Sequence, residues 1–365
     1  MKVLFIEDDP PAVEPAQRRF EKSGAICTIC NFDEAQQRIN ETSPDVVILD
    51  WFRGAPAEGE TAGAEVFNFI WNQRFCPLVV YSAEANLAEE GRERHPFVNY
   101  VRKGRGSVDA LEQCVAGFQG HIESIRDAEK EVSRQFAIAL KVVAPHAFAH
   151  VQSADERREI IVRAGRRRLA ALMDELSLEG EPLKSWEHYL VPPVSEDLQL
   201  GDLLRLNSSK DDDPTAFRLV LTPSCDTATS GKRKPKVACI LTAQCCTMQQ
   251  GLASVGLGET GDKKLRERLQ CEILTHGHFQ AMIPFPKFAG VIPTMAASLR
   301  DLELISLDMI GEGKEYRRVA AVDSPFREHI AWAYLQTACR PALPDRDLVN
   351  WCEEILSANK KVEQQ

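Results

Sequence analysis

The sequence predicts a doubly wound α/β domain with a five-stranded parallel sheet, then a helical hairpin, then a β-rich domain of α+β or barrel-like form. Three observations carry this. In the first third, short unbroken apolar runs such as Val46–Leu49 recur with helical stretches between them, as strands buried on both faces of a parallel sheet do. From Ser107 onward apolar residues fall alternately three and four apart, the signature of helix. From Pro182 short strand-like pieces alternate with loops rich in Ser, Asp, Gly, Lys and Pro.

A chain of 365 residues has room for two or three domains, and the texture divides it at 1–120, 121–180 and 181–365. Hydrophobic residues at 44% and charged residues at 27% suit a soluble globular protein, and no apolar run reaches membrane-spanning length. The net charge of −10 argues against broad nucleic-acid binding. The N-terminus, MKVLFIEDDPP, lacks the cleavage site of a signal peptide and reads as a first strand. The eleven cysteines are odd in number and scattered, so they read as reduced thiols in a cytoplasm. Cys27 and Cys30 form a CxxC, but on a strand residues three apart face opposite ways, which disfavours a shared metal.

The expected strands of the first third are Val3–Ile6, Ala25–Ile29, Val46–Leu49, Leu78–Tyr81 and Val98–Val101. Helical composition marks Ala12–Lys22, Asp33–Ile39, Gly63–Arg74 and Ala83–Arg92 between them. Such alternation implies βαβ units, and right-handed crossovers align the strand C-termini along one edge. That edge collects Glu7, Asp8 and Asp9 after the first strand, Asp50 after the third, Ser82 after the fourth and Lys103 after the fifth. Ligands of open α/β sheets bind there.

Clustered carboxylates repel by about 4 kcal/mol per pair at 4 Å and an effective dielectric near 20. A divalent cation removes that penalty, and an all-oxygen donor set suits Mg²⁺. With charge so offset, Asp50 is placed to attack a phosphoryl group, since carboxylates are competent nucleophiles in aspartyl-phosphate chemistry. The metal and the Lys103 ammonium would stabilise the transferring oxygens.

The segments FIEDD, VVILDWF, VVYSAE and YVRKG together resemble the receiver domain of two-component response regulators over residues 1 to 120, a flavodoxin-like fold. The resemblance implies that Asp50 is the phospho-acceptor. It implies Mg²⁺ held by Asp8, Asp50 and the carbonyl of Phe52, with Glu7 acting through water. Ser82 would be the switch hydroxyl, Tyr100 the switch aromatic and Lys103 the phosphate-binding lysine. The implied partner is a sensor histidine kinase or phosphotransfer protein. The chain departs from the family pattern in three places. Gly104 stands where a proline is usual, the segment WFRGAPAEGETAG is long, and Ser82 replaces the commoner threonine. The competing reading is a pseudo-receiver scaffold that exchanges no phosphate.

The helical seam runs through Val108, Leu111, Val115, Phe118, Ile122, Ile125, Val132 and Phe136, with Glu129 at one position. A break is expected near Pro145, and a second helix over Asp155–Leu176. The resulting hairpin is a candidate homodimer element. The cluster Arg163, Arg166, Arg167 and Arg168 lies outside any helix-turn-helix pattern, so it reads as a solvated or ion-paired face and not a DNA-reading one.

In the last half, strand-like pieces are Leu203–Leu206, Phe217–Leu221, Val237–Leu241, Phe279–Pro284, Leu302–Leu307 and Arg317–Val322. Helices are expected in SPFREHIAWAYLQTA and DRDLVNWCEEIL. The stretch LTPSCDTA places Cys225 and Asp226 at a strand end. Cys239, Cys245, Cys246, Cys271, His276 and His278 are the other candidates for a thiol nucleophile with its base, or a zinc site, though none has diagnostic spacing. The expected function is a response regulator whose phosphorylation is relayed through Ser82 and Tyr100 to an output domain that binds a protein. The alternative is a receiver-gated enzyme centred on Cys225.

Overall fold

Strands Lys2–Ile6 (β1), Ile26–Cys30 (β2), Val46–Leu49 (β3), Leu78–Ser82 (β4) and Val98–Arg102 (β5) form an all-parallel sheet in the order β2-β1-β3-β4-β5. The computed structural model describes residues 1–53, 62–85, 95–176, 182–210, 212–229, 233–339 and 347–362. Two compact units, Met1–Leu176 and Ser177–Gln365, each carry their own sheet.

Successive residues of β3 are buried on opposite faces, which accounts for the unbroken apolar run. Val47 and Leu49 join Leu4, Leu78 and Val80 against Ile39 of helix Ala35–Thr42 (α2) and Val66 and Ile70 of helix Ala62–Gln73 (α3). Val46 and Ile48 join Phe5 and Val79 against Phe20 of helix Pro10–Lys22 (α1) and Leu111 and Val115 of helix Ser107–Gly117 (α4). Cys27 packs with the second core and Cys30 with the first, so the CxxC thiols do face opposite ways. The strand order reverses between β1 and β3, and a ligand crevice is expected at that switch point. The expected helix at 83–92 lies mostly outside the described residues, as does most of the long segment after Phe52.

The expected continuous helix is instead broken at Phe118. Helix α4 ends at Gly117, and a new helix, Gln119–His150 (α5), begins beyond it. Phe118 is buried in the sheet core and anchors the bend, while the preceding glycine lowers the cost of leaving the helix. The break foreseen at Pro145 does not occur, since α5 runs through it. Proline removes one hydrogen bond, here to the carbonyl of Lys141, an exposed residue whose carbonyl water can satisfy.

The seam also shifts along α5. Val132 and Phe136 are 43% and 38% exposed, whereas Gln135, Ala139 and Ala147 are buried. The helix Ala154–Leu176 (α6) packs along α5. A Cβ on its Gly165 would meet Leu140 Cδ2 at 3.1 Å. Gly165 thus leaves room for the Leu140 side chain of α5.

The second unit is an open, wholly antiparallel sheet of seven strands, with helices against it, so the α+β form holds and barrel closure does not. Its strands are Tyr189–Leu190 (β6), Asp202–Leu206 (β7), Phe217–Val220 (β8), Cys239–Thr247 (β9), Met282–Phe285 (β10), Met295–Ser306 (β11) and Tyr316–Val322 (β12), in the order β10-β11-β9-β8-β7-β12-β6. β9 and β11 are longer than the apolar pieces expected, because a register shift between Ser298 and Leu302 carries β11 across polar residues. The two-residue β6 has no sequence signal of its own. One face buries Leu203, Phe217, Leu219 and Phe285 with Ile330 and Ala333 of helix Phe326–Ala338 (α7). A last helix spans Leu348–Val362 (α8).

Asp45, at the start of β3, ties α5 to the first sheet. It accepts the Lys2 N–H at 2.5 Å and the Arg126 Nε–H at 2.7 Å. Burial raises the Asp45 carboxyl, but Arg126 and the Lys2 N–H outweigh it and hold the group below its ordinary value. A lowered carboxylate stabilises the fold above its unfolded value and loses that contribution as pH falls through its folded one. Asp45→Ala is therefore expected to cost about 1–2 kcal/mol at neutral pH, a deficit that fades below about pH 4. Urea unfolding at several pH values measures this.

Candidate functional site

Three strand ends of the parallel sheet meet at a half-buried ammonium. Lys103, just past β5, places its Nζ 2.5 Å from Glu7 Oε2 and 2.8 Å from Asp50 Oδ2. Backbone bonds fix this convergence. The Asp50 N–H donates to the Ile6 carbonyl at 2.9 Å, and the Lys103 N–H donates to the Ser82 carbonyl at 2.9 Å. The other Asp50 oxygen accepts the Trp51 N–H at 2.7 Å. Glu7 and Asp50 are largely shielded from water, and Lys103 only a little less.

Burial pulls the Lys103 ammonium down, but its hydrogen bonds to Asp50 and Glu7 more than offset this and hold it above its ordinary value. Burial pushes the Glu7 carboxyl up, with the Asp50 charge adding to the push, against the pull of Lys103. Two carboxylates therefore share one ammonium, and burial favours the protonated form of Glu7. Lys103 also lies 5.7 Å over the Tyr81 ring, whose hydroxyl pairs with Ser107 at 2.7 Å.

Asp8 stands apart from that pair. Its Oδ2 lies 3.7 Å from Arg53 Nε, and Arg53 also donates to Asp33 Oδ1 at 2.6 Å while lying over the Phe32 ring. Ser82 is buried at the end of β4. Val80 pairs with Tyr100 and Ser82 with Arg102, so Tyr100 sits two residues back along the face that Ser82 shares. Phe52 is buried two residues after Asp50.

No three His, Cys, Asp or Glu side chains are gathered to hold a metal among the described residues. The donors still suit a hard cation of the Mg²⁺ type, which takes one or two carboxylates and keeps several waters. Carboxylates, backbone carbonyls and the Ser82 hydroxyl are oxygen donors at this edge, and two of the carboxylates already converge on one positive charge.

Sequence reasoning missed Gly63. A Cβ there would meet Trp51 Cα and O at 2.8 Å and Asp50 O at 2.9 Å, all backbone atoms. Its N–H donates to the Trp51 carbonyl at 3.2 Å. Only glycine lets α3 seat its first turn on the chain that carries Asp50. The Gly/Ala-rich stretch before α3 was the available signal. Gly104, where the family pattern has proline, takes φ +156°. Its N–H and carbonyl both bond the Ser107 hydroxyl, which closes the turn after Lys103 without a proline.

In the second unit, Cys225 lies exposed on a single helical turn, Ser224–Thr227. Its Sγ is 3.6 Å from Asp226 Oδ1, and Asp226 pairs with Lys236 at 2.9 Å. The thiol therefore faces a carboxylate. His278 pairs with His329 at 3.2 Å instead. Cys245 is fully buried, and burial pushes its thiol far up, as for an inert core residue. The structure brings Glu7, Asp50 and Lys103 into contact, sets Asp8 against Arg53, and gathers no three of the cysteine and histidine candidates among the described residues.

No family model matches the sequence, and no curated protein matches it. Several solved structures are similar to its first third. The receiver domain of the Francisella response regulator 1452 is 20% identical over 33% of this chain and 98% of its own, with a TM-score of 0.27. The BeF3-activated N-terminal receiver domain of Klebsiella pneumoniae RstA is 20% identical over 33% of this chain and 99% of its own, with a TM-score of 0.27. A de novo designed Rossmann 2x3 protein is also 20% identical, over 32% of this chain and 89% of its own, with a TM-score of 0.26.

Lys103→Met leaves two carboxylates without their counter-charge. The expected cost is about 2–4 kcal/mol at neutral pH. A raised carboxyl destabilises the fold above its folded value, so the deficit should shrink as pH falls and Glu7 takes up a proton. Denaturant titrations at several pH values test this. Gly63→Ala is expected to destabilise the first unit by about 1–3 kcal/mol through overpacking against backbone, read by the same method.

Proposed function

We propose that the first unit is a phosphoryl-accepting receiver and that the chain works as a response regulator. The observation that carries the reading is the Lys103 ammonium held between Glu7 and Asp50 at the C-terminal edge of the parallel sheet. A carboxylate with an ammonium against it is suited to accept a phosphoryl group whose charge needs neutralising.

In the proposed step, an Asp50 oxygen attacks phosphorus of a phosphohistidine on a partner kinase or phosphotransfer protein. The P–N bond breaks and its electron pair returns to the imidazole. The Lys103 Nζ, already 2.8 Å from Asp50, pairs with the incoming phosphoryl oxygens. The Ser82 hydroxyl donates to another of those oxygens. Mg²⁺ held by Asp8, Asp50 and the Phe52 carbonyl, with Glu7 through water, would supply further charge neutralisation. Asp8 would then exchange its contact with Arg53 for the metal. Movement of Ser82 is passed to Tyr100 along their shared face, and from there to the surface of β4 and β5. The helices that follow carry the change toward the second unit, as an output element that binds a protein, with homodimerisation through α5 and α6 as the accompanying change.

A second reading draws on Arg53. With Asp8 and Asp33 both engaged by its guanidinium, the first unit would be a scaffold that exchanges no phosphate. One experiment separates the two. The full chain is incubated with Mg²⁺ and acetyl phosphate, then with a panel of phosphorylated histidine kinases, and its intact mass and light scattering are followed. The expected result is a gain of one phosphoryl group that Asp50→Asn abolishes. No gain with any donor would leave the scaffold as the function.

A further inference from the structure

The second unit encloses an apolar hollow that phosphoryl chemistry does not use. Its volume is about 790 Å³, within the range of small-molecule sites. Ile283, Phe285 and Ile330 line it from β10 and α7, and all three are buried. Met248, Leu252 and Leu269 extend the apolar lining. Leu269 opens a π-helical turn, Leu269–Ile273, a form that recurs at functional sites. Protein interiors are close-packed, and few voids exceed a water molecule, so a hollow of this size is not ordinary core. Two further lining residues, Leu183 and Leu274, are 41% and 58% exposed and make its rim apolar as well.

Thr294 and His329 add polar groups to the lining from other segments, and its remaining polar side chains come from one turn. Lys184, Ser185 and His188 all come from one 3₁₀ turn and its N-cap. Lys184 is exposed and is the lone charge among the described lining residues, and no carboxylate lines the hollow among them. Glu187, in the same turn, is not among the lining residues, and its carboxylate accepts the Lys184 N–H at 2.6 Å. The His188 ring lies against Phe326, with centroids 4.0 Å apart. Burial pushes its imidazole down to about 4, so it is neutral at physiological pH. A neutral imidazole offers one donor and one acceptor.

We propose that this hollow binds a small amphipathic anion, an apolar body ending in one carboxylate. The body lies against Ile283, Phe285 and Leu252, and the carboxylate meets Lys184 and the His188 N–H at the polar turn. A cation finds no counter-charge there, and a purely apolar molecule leaves the polar turn unused. The proposal stands independently of the phosphoryl reading, since every residue in it belongs to the second unit.

The test uses the full chain, with decanoate and naphthoate as anionic probes and decanol as a neutral one. Binding is followed by calorimetry and by the midpoint of thermal unfolding. At least one carboxylate is expected to bind at a single saturable site. Leu252→Trp, which fills the hollow, should abolish that binding. Lys184→Glu, at an exposed position, should weaken the carboxylate about five-fold and leave decanol unchanged. Failure of both carboxylates to saturate the wild-type chain overturns the proposal. So does a Lys184→Glu variant that binds carboxylate as before, or that loses carboxylate and alcohol alike.

Discussion

A single ammonium between two carboxylates organises the first unit. Lys103 arrives from the end of β5, Glu7 from the end of β1 and Asp50 from the end of β3. Those ends are brought together by a parallel sheet whose order reverses at β1 and β3. The buried strands exist because their residues are apolar on both faces, and the helices cover those faces. The charged triad sits where that apolar construction stops. There the backbone leaves the sheet with charge still shielded from water, so charge there must be balanced by charge.

That balance is incomplete. Glu7 and Asp50 bring two carboxylates to one ammonium, burial holds Glu7 above its ordinary value, and Asp8 is drawn off toward Arg53. A site with residual negative charge attracts cations and resists adding more negative groups unless one arrives. The same electrostatics that make Lys103 structurally necessary would therefore make the entry of any further negative group at this edge dependent on a second positive charge.

Much of this was legible from residue order alone. Unbroken runs such as VVIL identify strands buried on both faces, and the residue after each run locates the edge, which is how Glu7, Asp50, Ser82 and Lys103 could be placed together. Gly63 was not legible, because its role is to fit against the Asp50–Trp51 backbone, a contact that pattern does not encode. The break at Phe118 was hidden because a buried anchor and a seam residue look alike in a heptad. In the second unit, β11 crosses polar residues where its register shifts, so the sequence pattern found only its C-terminal part. The hollow there is assembled from β10, α7 and the Lys184–His188 turn, distant in sequence, and no local signal marks it.

The bend at Phe118 has a mechanical consequence. Helix α5 is 32 residues long, which at the usual rise is about 48 Å. Its base is clamped to the first sheet by Phe118, Ile122 and the Asp45–Arg126 pair. A rod held so near one end is a lever. A tilt of about 5° at the fulcrum carries the far end of a rod of that length through roughly 4 Å. Repacking of an ångström or less beneath Phe118 is thus enough to move the tip by more than the width of an atom.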